Sequence, residues 1–509
     1  MEFLIFLGVV IIIYAVLLFF DNFFKSCMHY PYEAFLKNTG LSVKFFRIQW
    51  HTTALNRSIV KWSTAYPKLL DLNFSLGVYM SLLLMPLASC LIIISAFHTK
   101  DMGKSNSDVT SSGSSVSWTG YRETVSLDLL IPGINLPINE IGYYISALAI
   151  NSIIHELGHG LAAVLEDVPI KGFGLHVMLI LPMAYTQLDP DQLNALKMWK
   201  RLKVLSAGIW HNLLLASISY LLFITTPVML STIYKVNESV LVTDIKNNSP
   251  LLGTKGLEKG DIITSINDCD IHNDISWYSC LLDSLQSQPS YCISPDFVHL
   301  NDESVPISHR NDGLIECCNS ENKASNCFEY MVDVNEEDVA LPQHMCLNIR
   351  KMIENSFGYC QHKPSCSEGH CFKPMINNFT TIMHIRRDGK ADVIYIGHPA
   401  DLTRTIQITQ FVPKTSFFRP GFADSIQLLL KYVTVFALGL AIINVIPCFG
   451  FDGQHIVSTV LSSSIVVNRV PQKSKRDMVA LCINIIGTLF VFILLTKVFW
   501  QMIFKAMWD

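Results

Sequence analysis

Six stretches of the chain approach the roughly 20 apolar residues that a helix needs to cross a bilayer. They lie near 2–20, 74–97, 141–165, 204–230, 424–447 and 478–504, the fifth interrupted by Lys431. The first lacks the basic start and small-residue cleavage site of a signal peptide, and Asp21-Asn22-Phe23-Phe24 follows it, so it reads as a retained anchor. A shorter apolar run, Gly172 to Tyr185, opens on glycines and is broken by Pro182. Its strand-like content predicts a re-entrant hairpin dipping into the protein, because open backbone is not tolerated in hydrocarbon. A buried loop with no substrate role fits the same residues.

The polar intervals differ from one another. Residues 21–73 carry Lys25, Lys37, Lys44, Arg47, Arg57, Lys61 and Lys68 and read as a cytosolic connector. A Ser-rich run between 105 and 117 is too polar to bury a core and reads as a linker. Residues 236–285 and 380–413 resemble two halves of a small β-rich domain. Val240-Leu241-Val242 is a strand, Ser249-Pro250 opens a short helix, and Gly256-Leu257-Glu258-Lys259-Gly260-Asp261-Ile262-Ile263 leads to a turn at Asn267. This resembles a PDZ domain, whose strand edge receives peptides. The interval 286–376 then reads as an insertion within it. Peptide capture and simple obstruction of access both remain open for this domain.

Composition agrees with membrane residence. Half of the residues are apolar and 16% are charged, against about 25% in soluble domains. A net charge of −4 offers no cationic excess for nucleic acid. Ten of the 14 cysteines fall between Cys269 and Cys371. An even number crowded into one polar interval points to disulfides and an oxidising lumen. A zinc–thiolate module is the rival, without the C-x-x-C spacing usual for one. The sequon at Asn378 agrees with a luminal position. Arg469, Lys473, Lys475 and Arg476 precede the last apolar stretch, and Lys197, Lys200, Arg201 and Lys203 precede the fourth. Both clusters face the cytosol by the positive-inside rule, which puts the cysteines on the other side. Strict alternation would put both termini in the lumen.

The expected fold class is a polytopic α-helical membrane protein of about six spans with a luminal PDZ-like α+β domain carrying a cysteine-rich insertion. Its divisions are 1–97 (N-terminal spans and connector), 98–139 (Ser-rich linker), 140–235 (membrane core with the hairpin), 236–420 (luminal domain) and 421–509 (C-terminal membrane core).

The third span contains His155-Glu156-Leu157-Gly158-His159. Four-residue spacing sets both imidazoles on one helix face, about 6 Å apart at their bases, as two ligands of one metal require. Glu156 stands beside them, able to take a proton from an activated water. Each ionisable group at this depth costs about 2.5 kcal/mol or more, so the cluster needs a compensating interaction such as a metal. A polar packing cluster is the alternative. A third ligand is missing locally: Ala162 stands where one soluble class has glycine, and no Glu lies between Asp167 and Glu238. Asp452, just past the helix break at Pro447, offers the carboxylate. Unwound backbone at membrane depth accompanies functional cavities, although helix capping could equally employ that aspartate.

The order His155-Glu156-x-x-His159, Gly208-x-x-x-Asn212, a PDZ-like domain and Asn444-x-x-Pro447-x-x-x-x-Asp452-Gly453 resembles the site-2 protease family. That resemblance implies one zinc ion on His155, His159 and Asp452, Glu156 as catalytic base, and Asn444 and Asn212 lining the active site. It implies hydrolysis within the bilayer of membrane-spanning transcription factors, such as sterol-regulatory element-binding proteins and stress-responsive relatives, after a first luminal cut. Golgi or endoplasmic reticulum residence is implied too. The rivals are a non-catalytic adaptor that binds peptides through its PDZ-like domain, and a metal transporter. A transporter would need a further polar ladder across the membrane, which is not evident. Neither accounts for a candidate base between the two histidines. Gly208, with Ser206 and Ala207, also suits close helix packing, and His211 carries no assigned role.

Overall fold

The computed structural model describes residues 2–97, 137–253, 256–286, 288–309, 315–319, 324–331, 341–360, 366–377, 380–415 and 417–508. The Ser-rich run and the Asn378 sequon lie outside the described residues. The chain divides into two compact units, Met1–Ile224 with Leu428–Asp509, and Thr225–Gln427.

The first unit is built on α1 (Glu2–Ser26), α2 (Pro67–Phe97), α3 (Ile141–Leu165), α4 (Met198–Leu230), α5 (Phe422–Val445), the short α6 (Asp452–Leu461) and α7 (Lys473–Trp508). All except α6 contain segments long and apolar enough to cross a membrane, six in total. Several start earlier than the apolar runs: α4 begins at Met198 and has 33 residues, about 50 Å at 1.5 Å per residue. That exceeds a hydrocarbon core of about 30 Å, so the basic first turns extend beyond it. Between α2, α4 and α5 the core is Val78, Ala88, Leu202, Ile209, Ala441 and Val445.

The apolar run near 172–185 forms a hairpin, β3 (Ile170–Met178) and β4 (Leu181–Leu188). The polar connector supplies β1 (Leu41–Lys44) and β2 (Arg47–Thr52), and the four strands make one antiparallel sheet in the order β1-β2-β3-β4. The connector is therefore not merely a link. Its strands are short and weakly alternating, with no fully buried position to betray them. Tyr14 in α1 donates to the Val177 carbonyl at 3.0 Å, tying the first helix to this sheet.

The second unit contains β5 (Tyr234–Ile245), β6 (Ile262–Ile266), β7 (Tyr291–Ile293), β8 (Ser325–Met331), β9 (His344–Asn348), β10 (Gly358–Tyr359), β11 (His370–Pro374), β12 (Thr381–Arg387), β13 (Val393–Gly397) and β14 (Ile406–Pro413). One sheet runs β13-β12-β6-β5-β14, and the interval inserted between β6 and β12 builds another, β9-β8-β11-β7-β10. Period-2 alternation along β12 joins them. Met383 and Ile385 face a core with Val240, Ile263, Trp277 and Leu281. Ile382 faces a second core with Tyr291, Phe328, Met345 and Phe372. Between these modules His384 accepts from the Tyr359 hydroxyl at 3.1 Å and reaches Asp392 at 2.8 Å. Burial holds its imidazole below the usual range, against the pull of Asp392.

All ten cysteines of the interval pair: Cys269–Cys280, Cys292–Cys366, Cys317–Cys327, Cys318–Cys346 and Cys360–Cys371. The zinc–thiolate alternative thus fails, since bonded sulfurs have no thiolate to offer. The helix expected at Ser249-Pro250 is absent among the described residues. A tight turn stands there, with Ser249 N–H on the Lys246 carbonyl at 2.9 Å and a bridge between Leu252 and Leu257.

Asp261 has a fully buried side chain, held by Arg387 at 2.8 Å and Lys390 at 2.7 Å. Burial pushes its carboxyl up, but Lys390, the Glu258 N–H and Arg387 outweigh it and hold it below the usual carboxylate range. A depressed folded pKa stabilises above the unfolded value of about 3.9 and is lost as pH falls through the folded one. Arg387→Ala should destabilise this unit by about 3 kcal/mol, because an under-compensated carboxylate stays buried. Thermal unfolding followed by circular dichroism checks this: the midpoint should drop at pH 7, and the wild-type advantage should shrink on acidification below about pH 4.

Candidate active site

His155 and His159 lie one turn apart on α3, both buried, 7% and 8% exposed. Asp452 comes from the other end of the unit. Helix α5 ends at Val445, the chain turns through Ile446-Pro447-Cys448, and α6 begins at Asp452 itself. Its carboxylate therefore sits at a helix N-terminus, where the peptide dipoles favour negative charge. Gly453 is required beside it: a Cβ there would stand 2.2 Å from the Ile446 carbonyl oxygen.

The three donor atoms converge. His155 Nε2 and His159 Nε2 are 3.2 Å apart, and Asp452 Oδ2 lies 3.1 Å from the first and 3.2 Å from the second. A tetrahedral zinc with ligands at about 2.0–2.1 Å has donor–donor edges of about 3.3 Å. The triangle therefore matches one face of such a site, leaving the fourth corner for water or substrate.

The outer nitrogens of both rings agree with that use. His159 Nδ1 lies 2.8 Å from the Val204 carbonyl oxygen, which fixes the Nδ1–H tautomer and leaves Nε2 as the lone-pair donor. His155 Nδ1 lies 3.2 Å from Asn212 Nδ2, while Asn212 Oδ1 is buried with no partner. Turning that amide by 180° sets Oδ1 to accept from Nδ1–H and removes the orphan, with no change in the shape of the side chain. Both imidazoles are then set to bind metal through Nε2. Gly208 completes the fit. A Cβ at this position would lie 2.4 Å from His159 Nε2 and 2.6 Å from His155 Nε2, in the space an ion needs.

Asn212 is fully buried and lies against His155, 3.2 Å from its Nδ1, where it supports that ring. Asn444, in the last turn of α5, is half-buried, and its side chain makes no hydrogen bond among the described residues. His211 bonds back to the Ala207 carbonyl at 2.8 Å and packs on Phe74, a helix-packing role. Glu156 Oε2 accepts from the Thr186 N–H at 2.8 Å, and the Thr186 hydroxyl donates to the Glu156 carbonyl at 2.8 Å. One turn earlier, Ser152 Oγ accepts from the Ala184 N–H at 2.6 Å. The edge of β4 is thus already occupied by α3. Sequence reasoning missed Val204, Ser152 and Thr186. Only Ser152 left a trace, four residues before Glu156 on the same helix face.

Six helices long and apolar enough to cross a membrane, with a buried pair of imidazoles converging on a carboxylate, are the features of a multi-pass membrane protein with a candidate metal centre. The chain belongs to peptidase family M50, whose model matches residues 143–494, more than half of its length. It is similar to a membrane-bound transcription factor site-2 protease homolog of Arabidopsis thaliana, 24% identical over 408 residues that cover 72% of this chain and 78% of the relative.

Two variants test the site. Gly208→Ala should abolish stoichiometric metal binding in folded protein, as read by elemental mass spectrometry. Asn212→Ala should weaken metal affinity about 10–100-fold, the usual cost of losing an outer partner. Wild-type affinity in both would contradict the geometry.

Proposed function

We propose that this chain is an intramembrane zinc protease that hydrolyses peptide bonds in or beside the transmembrane helices of other membrane proteins. The observation that carries the reading is the donor triangle of 3.1–3.2 Å edges next to Glu156, within a unit of apolar helices. Zinc held by His155, His159 and Asp452 would supply a Lewis acid for the scissile carbonyl and lower the pKa of water toward about 7. Glu156 would accept the proton released by the attacking water and return it to the leaving amine. The substrate helix must first unwind, because its carbonyls are engaged in its own hydrogen bonds.

The name of the Arabidopsis relative favours membrane-bound transcription factors as the substrate class. We assign cleavage to a stage after a first luminal cut, in the Golgi or endoplasmic reticulum membrane. Five disulfides favour the luminal side for the second unit. A PDZ-like role in peptide capture gains support from the helix Asp274–Gln286. Its inner face buries Trp277 and Leu281, while Ile275, Tyr278, Leu282 and Leu285 form an exposed apolar stripe at helical spacing. The helix packs near β14, an edge strand, so a strand-adding peptide would have an apolar wall beside it.

Glu156→Gln separates this reading from a non-catalytic adaptor. Cleavage of a membrane-spanning reporter should fall about 10²–10⁴-fold, with zinc content at the wild-type level. Undiminished cleavage would sink the protease assignment, and loss of zinc would make Glu156 a ligand instead of a base.

A further inference from the structure

The edge of β4 has a regular construction. Positions 182, 184 and 186 share one parity along the strand and pair with Val177, Leu175 and Phe173 of β3. The N–H groups of Ala184 and Thr186 point away from β3, since both are taken by side chains of α3. Pro182, of the same parity, has no N–H to offer, as suits an outward-facing edge site. Two residues of α3 spaced one turn apart, Ser152 and Glu156, therefore cap this edge.

Thr186 grips Glu156 twice, through its N–H on Oε2 and through its hydroxyl on the backbone carbonyl. No other hydrogen bond to the Glu156 carboxylate is made among the described residues, so Oε1 is left free. We propose that Thr186 is a positioning residue for the reaction, its backbone N–H holding Glu156 Oε2 so that Oε1 is presented to the attacking water. Ser152 sets the register by fixing Ala184 against the same helix. The inference rests on the protease reading above. A free glutamate has several rotamers, and its fixation removes misaligned ones, which is where positional errors of about 1 Å cost about 10²-fold.

The decisive variant is Thr186→Pro, which deletes the N–H on a side of the strand where Pro182 is already accommodated. Thr186→Val deletes only the hydroxyl, and Thr186→Ser keeps both groups. With a membrane-spanning reporter, the proline chain should lose at least tenfold in kcat relative to the valine chain, with KM and zinc content unchanged, and serine should restore wild-type kcat to within about threefold. A proline chain that keeps the valine kcat overturns the proposal. So does one that loses zinc, since Thr186 would then be supporting the fold of the site. Residue-resolved amide hydrogen exchange of the full chain in micelles tests the bonds without any turnover, whether or not the proline chain folds. Glu156→Ala should accelerate exchange at Thr186 but not at Ala184, and Ser152→Ala should do the reverse. Equal acceleration at both positions in either variant would show general loosening and refute the specific grip. Because exchange is read independently of cleavage, the failures separate: no turnover in any chain with this pattern intact sinks the protease reading, whereas turnover in which the proline chain matches the valine chain sinks the positioning role alone.

Discussion

Two imidazoles and one carboxylate, brought together from positions 293 residues apart in the chain, are the constraint on which the membrane unit depends. Each ionisable group at bilayer depth costs about 2.5 kcal/mol or more when unsatisfied. Their convergence to edges of 3.1–3.2 Å gives them a common purpose. Around that triangle the local choices fall into line. Pro447 ends α5, Gly453 lets α6 begin tight against the turn, and Gly208 keeps α4 from filling the site. Val204 and Asn212 orient the rings from behind.

A second layer of order comes from strands. Four short strands stand beside α3, and the edge of β4 is closed by side chains of that helix. Backbone groups on an exposed strand edge need partners, and Ser152 and Glu156 supply them to Ala184 and Thr186. The arrangement also places a carboxylate under backbone control, which suits a group whose chemistry depends on direction. In the other unit, β12 is buried on both faces and serves two cores at once, so the inserted interval is a continuation of the fold and not an appendage.

What could be read beforehand divides along physical lines. Long apolar runs announced the six candidate spans, because the bilayer imposes length directly. The crowded cysteines announced disulfides, although not their pairing, which depends on three-dimensional proximity. His155, Glu156 and His159 were visible because a helix turns sequence spacing into a face, and Asp452 because an acid beside a broken apolar helix is conspicuous. Asn212 was noticed, but the group it touches, the His155 ring, is set by tertiary packing. Val204 acts through its carbonyl and Thr186 largely through its N–H, groups that nearly every residue possesses, so composition carries little mark of them. Strands β1 and β2 escaped because a half-exposed strand among lysines lacks the alternation that burial on one face produces.

The central claim concerns which atoms surround the metal, and zinc K-edge X-ray absorption of the purified full chain reads them directly. The account predicts four light ligands at about 2.0–2.1 Å, two of them with the multiple-scattering signature of imidazole, and loss of one oxygen scatterer or of the metal in Asp452→Asn. A sulfur shell at about 2.3 Å, or an unchanged spectrum at full occupancy in that variant, would contradict it.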